Sequence, residues 1–272
     1  MLIRIGAELV SGLADLVLPS PCAGCGAERV PLRLGACADC ATALEALTPY
    51  PTTPVPPPPG MPACSAVGPY AGPLRSALLA YKEKGRHRLA RPLGALLAVA
   101  VADAAVRGGG GPGVPMLIVP VPSTASAVRQ RHGDHMARLA AHAVRRLRTA
   151  GWHADVVQPL RALPRPDSAS LDPAARAAVA ENSLRIRTSR TRLLGRAPAM
   201  KSTLIVVDDI VTTGATLAAV AARLGEANMQ VAGAAVLAAT RLRKAALGGL
   251  SGLPPGGTGR TGHHLLRYSN EG

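Results

Sequence analysis

The chain has 272 residues, of which 48% are apolar, enough for one large or two smaller globular domains. Its 31 Lys and Arg residues against 16 Asp and Glu residues leave a formal net charge of +15, which favours polyanionic partners such as nucleic acid or a pyrophosphate-bearing substrate. Aromatic residues make up only 2% of the chain, which argues against a single-strand binding surface built on base stacking. Any bound nucleic acid would be contacted mainly through its phosphates.

The first 18 residues form an apolar segment that charged residues interrupt. Arg4 precedes the apolar region and Glu8 and Asp15 lie within it, while Pro21 directly before Cys22 suits neither signal cleavage nor lipid attachment. We interpret the segment as an amphipathic helix that covers part of the protein. Because no apolar stretch of about 18 residues lacks charges, we predict no transmembrane helix and a cytoplasmic location.

Four cysteines follow in two Cys-x-x-Cys pairs, separated by eleven residues: Cys22, Cys25, Cys37 and Cys40. Each pair sets two thiolates on a tight turn, and four sulfurs fit a tetrahedral Zn²⁺ ion. Gly24 and Gly26 permit the turn at the first pair. Two disulfides are the plainer alternative, but nothing in the sequence indicates an oxidising compartment, and a redox site would need only one pair. With four protein ligands the zinc would be structural.

Residues 48–62 contain eight prolines, so they cannot form a helix or a central strand and are predicted to be an extended linker. A helical pattern then runs from about Leu74 to Val106, with breaks around Gly85 and Pro92. Residues 108–113 are a glycine-rich break before the next apolar segment.

The remaining pattern alternates strands with helices. The strand candidates are residues 116–120, 155–159, 204–207 and 231–239, and a basic helix runs to about Arg148. This alternation predicts an α/β fold with a parallel sheet and covering helices. Residues 241–272 have no apolar period and are predicted to be a disordered tail.

The most informative stretch is the apolar run 204–207 with the polar residues after it. Asp208 and Asp209 fall at the carboxyl end of this strand, where open α/β sheets bind ligands. The loop that follows offers hydroxyl and backbone N–H groups at a helix N-terminus, which suits a phosphate; it comprises Thr212, Thr213, Gly214, Ala215 and Thr216. Carboxylates suit hydroxyl groups or a hydrated Mg²⁺ ion, so a ribose 5-phosphate would satisfy both halves. The alternative is a solvated strand end followed by an ordinary turn with a Thr N-cap.

At these residues the chain resembles the phosphoribosyltransferase family, whose signature is a hydrophobic strand, two acids and a loop similar to Thr-Thr-Gly-Ala-Thr. The resemblance implies that Asp208 and Asp209 bind the ribose hydroxyls of phosphoribosyl pyrophosphate. It implies that residues 212–216 bind the 5-phosphate and that the reaction depends on Mg²⁺.

Further segments resemble the ComF family, which is associated with DNA uptake in competent bacteria. They are Arg129-x-Arg131-His-Gly-Asp-His135, Arg161-x-x-x-Arg165, Tyr81-Lys82-x-x-Gly85 and the four N-terminal cysteines. The chain departs from the family pattern where Asp134-His135 stands in place of Asn-Gln. The chain is therefore identified as a ComF-like protein. Together with the residue patterns above, the resemblance predicts four parts: an N-terminal helix and zinc-ribbon module in residues 1–47, the proline-rich linker 48–62, a phosphoribosyltransferase-like domain in residues 63–240 and the disordered tail 241–272.

The site also needs cations, because pyrophosphate that leaves a ribose carries several negative charges. The candidates are guanidinium groups on two loops that follow strands: Arg129, Arg131, Arg161 and Arg165. The loop 120–124 is a further candidate for contact with the pyrophosphate, because it follows a strand at the same sheet edge. Most of the scattered histidines are interpreted as helix-surface residues.

Three functions remain open, and the third, a ligand-sensing regulator, is the least favoured because no helix-turn-helix pattern is apparent. The first is Mg²⁺-dependent transfer of the phosphoribosyl group from phosphoribosyl pyrophosphate to an amine or a base. The second is a non-catalytic role in DNA uptake, in which the protein handles single-stranded DNA with a helicase-type partner. The chain has no Gly-x-x-x-x-Gly-Lys-Ser/Thr motif of its own for an ATP-driven motor.

Overall fold

The central element is a mostly parallel β-sheet. The computed structural model describes residues 20–164, 183–187 and 202–240. The strands of this sheet are β1 (Tyr50–Thr52), β2 (Cys64–Pro69), β3 (Met116–Pro120), β4 (Ala154–Val156), β7 (Thr203–Val211) and β8 (Gly233–Ala239). Their spatial order is β1-β2-β8-β7-β3-β4, and β1 is the antiparallel edge strand. A separate antiparallel pair consists of β5 (Leu160–Ala162) and β6 (Leu184–Ile186).

Helices cover both faces of this sheet. The described helices are α1 (Ala38–Glu45), α2 (Gly72–Glu83), α3 (Ala90–Arg107), α4 (Ala125–Gln130), α5 (His135–Thr149) and α6 (Ala215–Gly225). One buried cluster joins α3 and α5 to Ile205 and Val207 of β7. A second joins α6 to Leu204 and Val206 of the same strand. Successive residues of β7 therefore face opposite helical layers, as the alternation of a strand requires.

Helices α3 and α5 approach each other closely at Gly94. A Cβ atom there would lie 2.4 Å from the Cβ of His142 and 3.0 Å from the backbone oxygen of Leu139. Only glycine fits this contact without a shift of one helix.

The predicted α/β class with its parallel sheet and flanking helices is confirmed. Strand β3 has the predicted bounds, and β7 begins one residue before the predicted run and continues through both acids to Val211. Strand β2 was not predicted, because Cys64-Ser-Ala-Val-Gly-Pro is rich in small residues with weak strand preference. Pro92 was predicted to interrupt a helix, but it lies in the first turn of α3, where proline is tolerated.

The proline-rich stretch 48–62 contributes strand β1, and Pro54 is buried. The predicted N-terminal helix and the predicted tail both lie outside the described residues.

The segment His87–Arg107 is 21 residues long and apolar enough to cross a membrane, judged by length and composition. Its most apolar window is 61% buried inside the protein, which is typical of a core helix.

Candidate functional site

A cavity of about 220 Å³ lies where the carboxyl ends of β3 and β7 meet. These two strands are neighbours in parallel register, with Pro120 opposite Val207. The lining comes from β7, α2, α4, α5, α6 and the loop after β3: Lys82, Val121, Pro122, Ser123, Thr124, Ala127, Arg131, His135, Met136, Asp208, Asp209 and Thr216. The sheet edge predicted to bind a ligand therefore carries an open pocket with acids and cations together.

Asp209 is buried in this pocket, with only 6% of its surface exposed. Its Oδ2 atom lies 2.7 Å from Nζ of Lys82 and 3.2 Å from Nε2 of His135. Burial by itself would raise the pKa of this carboxyl, but the hydrogen bond from His135 and the charge of Lys82 outweigh burial and lower the pKa to about 2. The carboxylate is thus ionised and held by two partners.

His135 connects Asp209 to the loop after β3. Its backbone oxygen accepts a hydrogen bond from Oη of Tyr81 at 2.9 Å, which fixes the start of α5 against α2. Its Nδ1 atom lies 3.4 Å from Oγ of Ser123 and 3.5 Å from Nη1 of Arg131. When Nε2 donates to Asp209, Nδ1 is left as the acceptor for these two donors.

Asp208 is half-buried. Its Oδ1 atom accepts a hydrogen bond from the backbone N–H of Asp209 at 2.9 Å. The negative charge of Asp208 acts on the thiol of Cys64 in β2. Burial is the larger cause and the charge of Asp208 the smaller one, and together they raise the pKa of this thiol to about 12. Cys64 is a buried thiol at 5% exposure and stays protonated.

The loop 212–216 turns sharply from β7 into α6. Gly214 is the N-cap of α6 in the left-handed conformation, with φ of 77°, and the hydroxyl of Thr213 accepts a hydrogen bond from the N–H of Ala215 at 3.4 Å. The proline-rich stretch packs against this turn, since a Cβ on Gly214 would lie 2.3 Å from Sδ of Met61 and 3.3 Å from Cγ of Pro54. Of this loop, Thr216 lines the cavity.

The candidate arginines are spread over different positions. Arg131 lines the cavity. Arg129 is exposed on α4, and Arg161 is exposed on β5, opposite Arg185 of β6. Neither of these two is among the cavity-lining residues. Arg165 lies outside the described residues.

Lys82 and His135 are functional candidates to which the sequence analysis assigned no role. Lys82 stands in the last turn of α2, far from Asp209 in the sequence. His135 differs from the surface position expected for most histidines, because it is only 8% exposed. Tyr81-Lys82 and His135 both belong to the segments that carry the family resemblance. That resemblance was the one feature of the sequence that could have identified Lys82 and His135 as functional candidates.

The four paired cysteines form a second cluster, with sulfur atoms all within 4.8 Å of one another. The backbone N–H groups of Gly24 and Cys37 point at Sγ of Cys22, at 3.4 and 3.2 Å. A Cβ on Gly24 would lie 2.6 Å from Sγ of Cys40. The first turn is therefore shaped around the sulfur atoms.

The thiols cannot all ionise in this arrangement without a cation. Burial opposes ionisation of Cys22, but backbone N–H groups, first that of Cys25, lower its pKa to about 6. Burial and the neighbouring thiols raise the pKa of Cys40. A bound divalent cation would remove this conflict, and the donor set fits tetrahedral zinc.

The cysteine cluster packs on α2 and on the segment that links α2 to α3. The Gly24 turn contacts Pro73 at the start of α2, and Nη1 of Arg86 donates to the backbone oxygen of Pro21 at 2.5 Å. Ala23 and Leu44 belong to the buried cluster beneath α3. The helix that supplies Lys82 to the cavity is thus supported by the cysteine cluster at its other end.

A second cavity, of about 540 Å³, opens beside β1 and the carboxyl ends of β2 and β8. The side chains that the described residues contribute to its lining are uncharged: Tyr50, Thr52, Thr53, Pro54, Val55, Pro69, Ala239 and Thr240. The N–H of Thr240 donates to the backbone oxygen of Val211 at 3.0 Å, so this cavity adjoins the start of the loop 212–216.

No curated protein matches this chain. The family described as the phosphoribosyl transferase domain matches residues 183–247, a stretch that contains Asp208, Asp209 and the loop 212–216. The chain therefore carries a phosphoribosyl transferase domain at the sheet edge where the acids and the loop lie.

Proposed function

We propose that the protein binds phosphoribosyl pyrophosphate with Mg²⁺ and transfers its phosphoribosyl group to an amine or a base. The observation that carries this proposal is the cavity in which Asp208 and Thr216 lie together with Lys82 and Arg131. The carboxylate suits ribose hydroxyls, the threonine at the helix start suits a phosphate, and the two cations suit a pyrophosphate, so one cavity offers groups for both halves of the substrate.

This transfer requires the protein to stabilise charge in the transition state more than it requires a covalent bond between protein and substrate. As the C1–O bond breaks, negative charge develops on the pyrophosphate and positive charge on the ribose ring. Lys82 and Arg131 would stabilise the departing pyrophosphate, and the Asp208 carboxylate would orient the ribose hydroxyls. Mg²⁺ would enter with the phosphates, and the cavity offers the oxygen donors that this ion prefers.

The acceptor is expected in the second cavity. The uncharged side chains that the described part of the chain places there suit a neutral base or amine, and this cavity adjoins the loop that would hold the 5-phosphate. The four cysteines would hold one structural Zn²⁺ ion, and a zinc site of four thiolates suits a reducing compartment such as the cytoplasm.

The test has two steps. Calorimetry should detect binding of phosphoribosyl pyrophosphate in the presence of Mg²⁺, and a pyrophosphate-release assay over neutral bases and amines should then find an acceptor. Thr240→Val should impair release in this screen more than Thr149→Val, a change on the exposed end of α5. Absence of binding would contradict the proposal.

The competing candidate is a non-catalytic DNA-uptake protein that handles single-stranded DNA with a helicase-type partner. Two observations support this candidate: the net charge of +15 and a group of arginines near His142. Burial lowers the pKa of His142, and the charges of Arg145, Arg91 and Arg138 lower it further. Binding of substrate without pyrophosphate release, together with strongly salt-dependent DNA binding, would favour this candidate.

A further inference from the structure

The imidazole ring of His135 lies between three separate elements of the site. Its Nε2 atom lies 3.2 Å from Oδ2 of Asp209, near the end of β7. Its Nδ1 atom lies 3.4 Å from Oγ of Ser123, in the loop after β3, and 3.5 Å from Nη1 of Arg131. All four residues line the same cavity, and His135 is only 8% exposed. The ring therefore bridges a carboxylate on one side and a cation on the other.

These contacts require one arrangement of protons on the ring. The guanidinium of Arg131 can only donate, so the Nδ1 atom that faces it must be an acceptor. The ionised carboxylate of Asp209 can only accept, so Nε2 must carry the proton. A neutral His135 ring satisfies both neighbours at once, which an apolar side chain of similar size could not do.

Arg131 stands at the start of a tight turn between α4 and α5. His132 has a φ of 53° and Gly133 a φ of 138°, so the turn runs through positive φ values. This conformation is unfavourable for His132, which carries a Cβ atom, and neighbouring contacts have to hold it. One such contact is the hydrogen bond from the N–H of Gly133 to the backbone oxygen of Val128, at 2.8 Å. The His135 ring adds another, from the end of the turn back to the Arg131 side chain.

The second cation of the cavity is held without this ring. Nζ of Lys82 lies 2.7 Å from Oδ2 of Asp209 and belongs to α2, so loss of the His135 ring leaves this ion pair in place. An effect of His135 on bound phosphates should therefore pass through Arg131.

We propose that His135 is a positioning residue: its ring, fixed by Asp209, holds the guanidinium of Arg131 at the cavity for the pyrophosphate half of the substrate. This inference rests on the proposed function, which supplies the pyrophosphate, and adds a residue that acts through another side chain.

The experiment is a double-mutant cycle on pyrophosphate binding. Calorimetry with Mg²⁺ measures binding of inorganic pyrophosphate to the full chain, to His135→Leu, to Arg131→Met and to the double variant. His135→Gln is the conservative variant, because an amide also offers a donor and an acceptor, and Gln is the residue of the family pattern at this position. His153→Leu, at an exposed histidine just before β4, is the matched control.

We expect Arg131→Met to weaken pyrophosphate binding by about tenfold and His135→Leu by about fivefold or more, as for loss of a hydrogen bond to a charged group. The double variant should bind no more than about twofold more weakly than Arg131→Met, because the ring acts through a guanidinium that is already gone. His135→Gln should keep part of the affinity that His135→Leu loses. His153→Leu should leave binding within about twofold.

Losses that multiply in the double variant would overturn the inference and leave the proposed function standing, and so would unchanged affinity in His135→Leu. Failure of the full chain to bind both inorganic pyrophosphate and phosphoribosyl pyrophosphate would overturn the two together. If His135→Leu does not fold, the same cycle with His135→Asn decides the question, because the shorter side chain cannot reach both Asp209 and Arg131.

Discussion

At the scale of single residues, Asp209 combines the roles of a site residue and a structural one. It is a nearly inaccessible carboxylate that contacts two basic side chains from different helices. Such an arrangement is stabilising only while the carboxylate is ionised and both partners are present. The contribution of this ionised group to the free energy of unfolding can therefore be measured as a function of pH.

The pKa of Asp209 in the folded state is about 2, below its ordinary value of 3.8, so the folded protein binds this proton less tightly than the unfolded chain does. The resulting stability is fully present above about pH 4 and is lost as the pH falls through 2. At about 1.4 kcal/mol per pKa unit it amounts to about 2 kcal/mol. Asp209→Asn should lower the free energy of unfolding by about 3 kcal/mol at pH 7, because it leaves a cation without its buried partner.

Urea unfolding at a series of pH values measures both effects. The difference between the natural chain and Asp209→Asn should shrink by about 2 kcal/mol between pH 4 and pH 2. Asp155→Asn is the control, since Asp155 pairs with Arg148 on the surface and should change stability by about 0.5 kcal/mol or less. A difference independent of pH would mean that Asp209 is not held as an ion.

At the scale of elements, the position of α5 depends on one glycine. Gly94 lets α3 and α5 approach within contact of their backbones, and α5 begins with His135 at the cavity. Since both helices lie on the same buried cluster, a change in their separation also moves the donors around Asp209.

Gly94→Ala should destabilise the protein by about 1–3 kcal/mol, because the added methyl group overlaps His142 and the backbone of Leu139. Gly225→Ala provides the contrast: it lies at the end of α6, has open space for a Cβ and should be neutral or stabilising by up to about 1 kcal/mol. Unfolding midpoints in urea compare the two variants. Equal effects would show that helix propensity, and not the close approach of α3 and α5, determines the change in stability at Gly94.

At the scale of the whole molecule, the described residues all fall within one compact unit. The cysteine cluster belongs to that unit, since its turns contact Pro73, Arg86 and Leu89. Metal binding at the cysteines should therefore affect more than the cysteines themselves.

Removal of zinc with a selective chelator should lower the melting temperature of the entire unit in one transition, because α2 would lose the support at its first turn. Differential scanning calorimetry with and without chelator measures this effect, and elemental analysis should first give about one zinc per chain. The same chelator should have no effect on a Cys22→Ser/Cys37→Ser variant. A separate low-temperature transition confined to residues near the cysteines would show that the cluster melts independently.

The sequence by itself determined the features that are written in consecutive residues. Asp208, Asp209 and the loop 212–216 follow directly from an apolar strand, and the two Cys-x-x-Cys pairs carry their own ligand spacing. The α/β class followed from the alternation of apolar runs with helical periods, because each element must bury one face against the next. None of these inferences needed a contact between distant parts of the chain.

Only the tertiary structure decided which side chains meet Asp209 and that β7 continues through both acids. Lys82 and His135 reach the same carboxylate oxygen because α2 and α5 pack at one edge of the sheet, and sequence periodicity does not encode that meeting. Strand β2 became a central strand despite weak local preference, because burial between β1 and β8 outweighs propensity. The local pattern defines which groups are present, whereas packing of distant elements decides which of them act together.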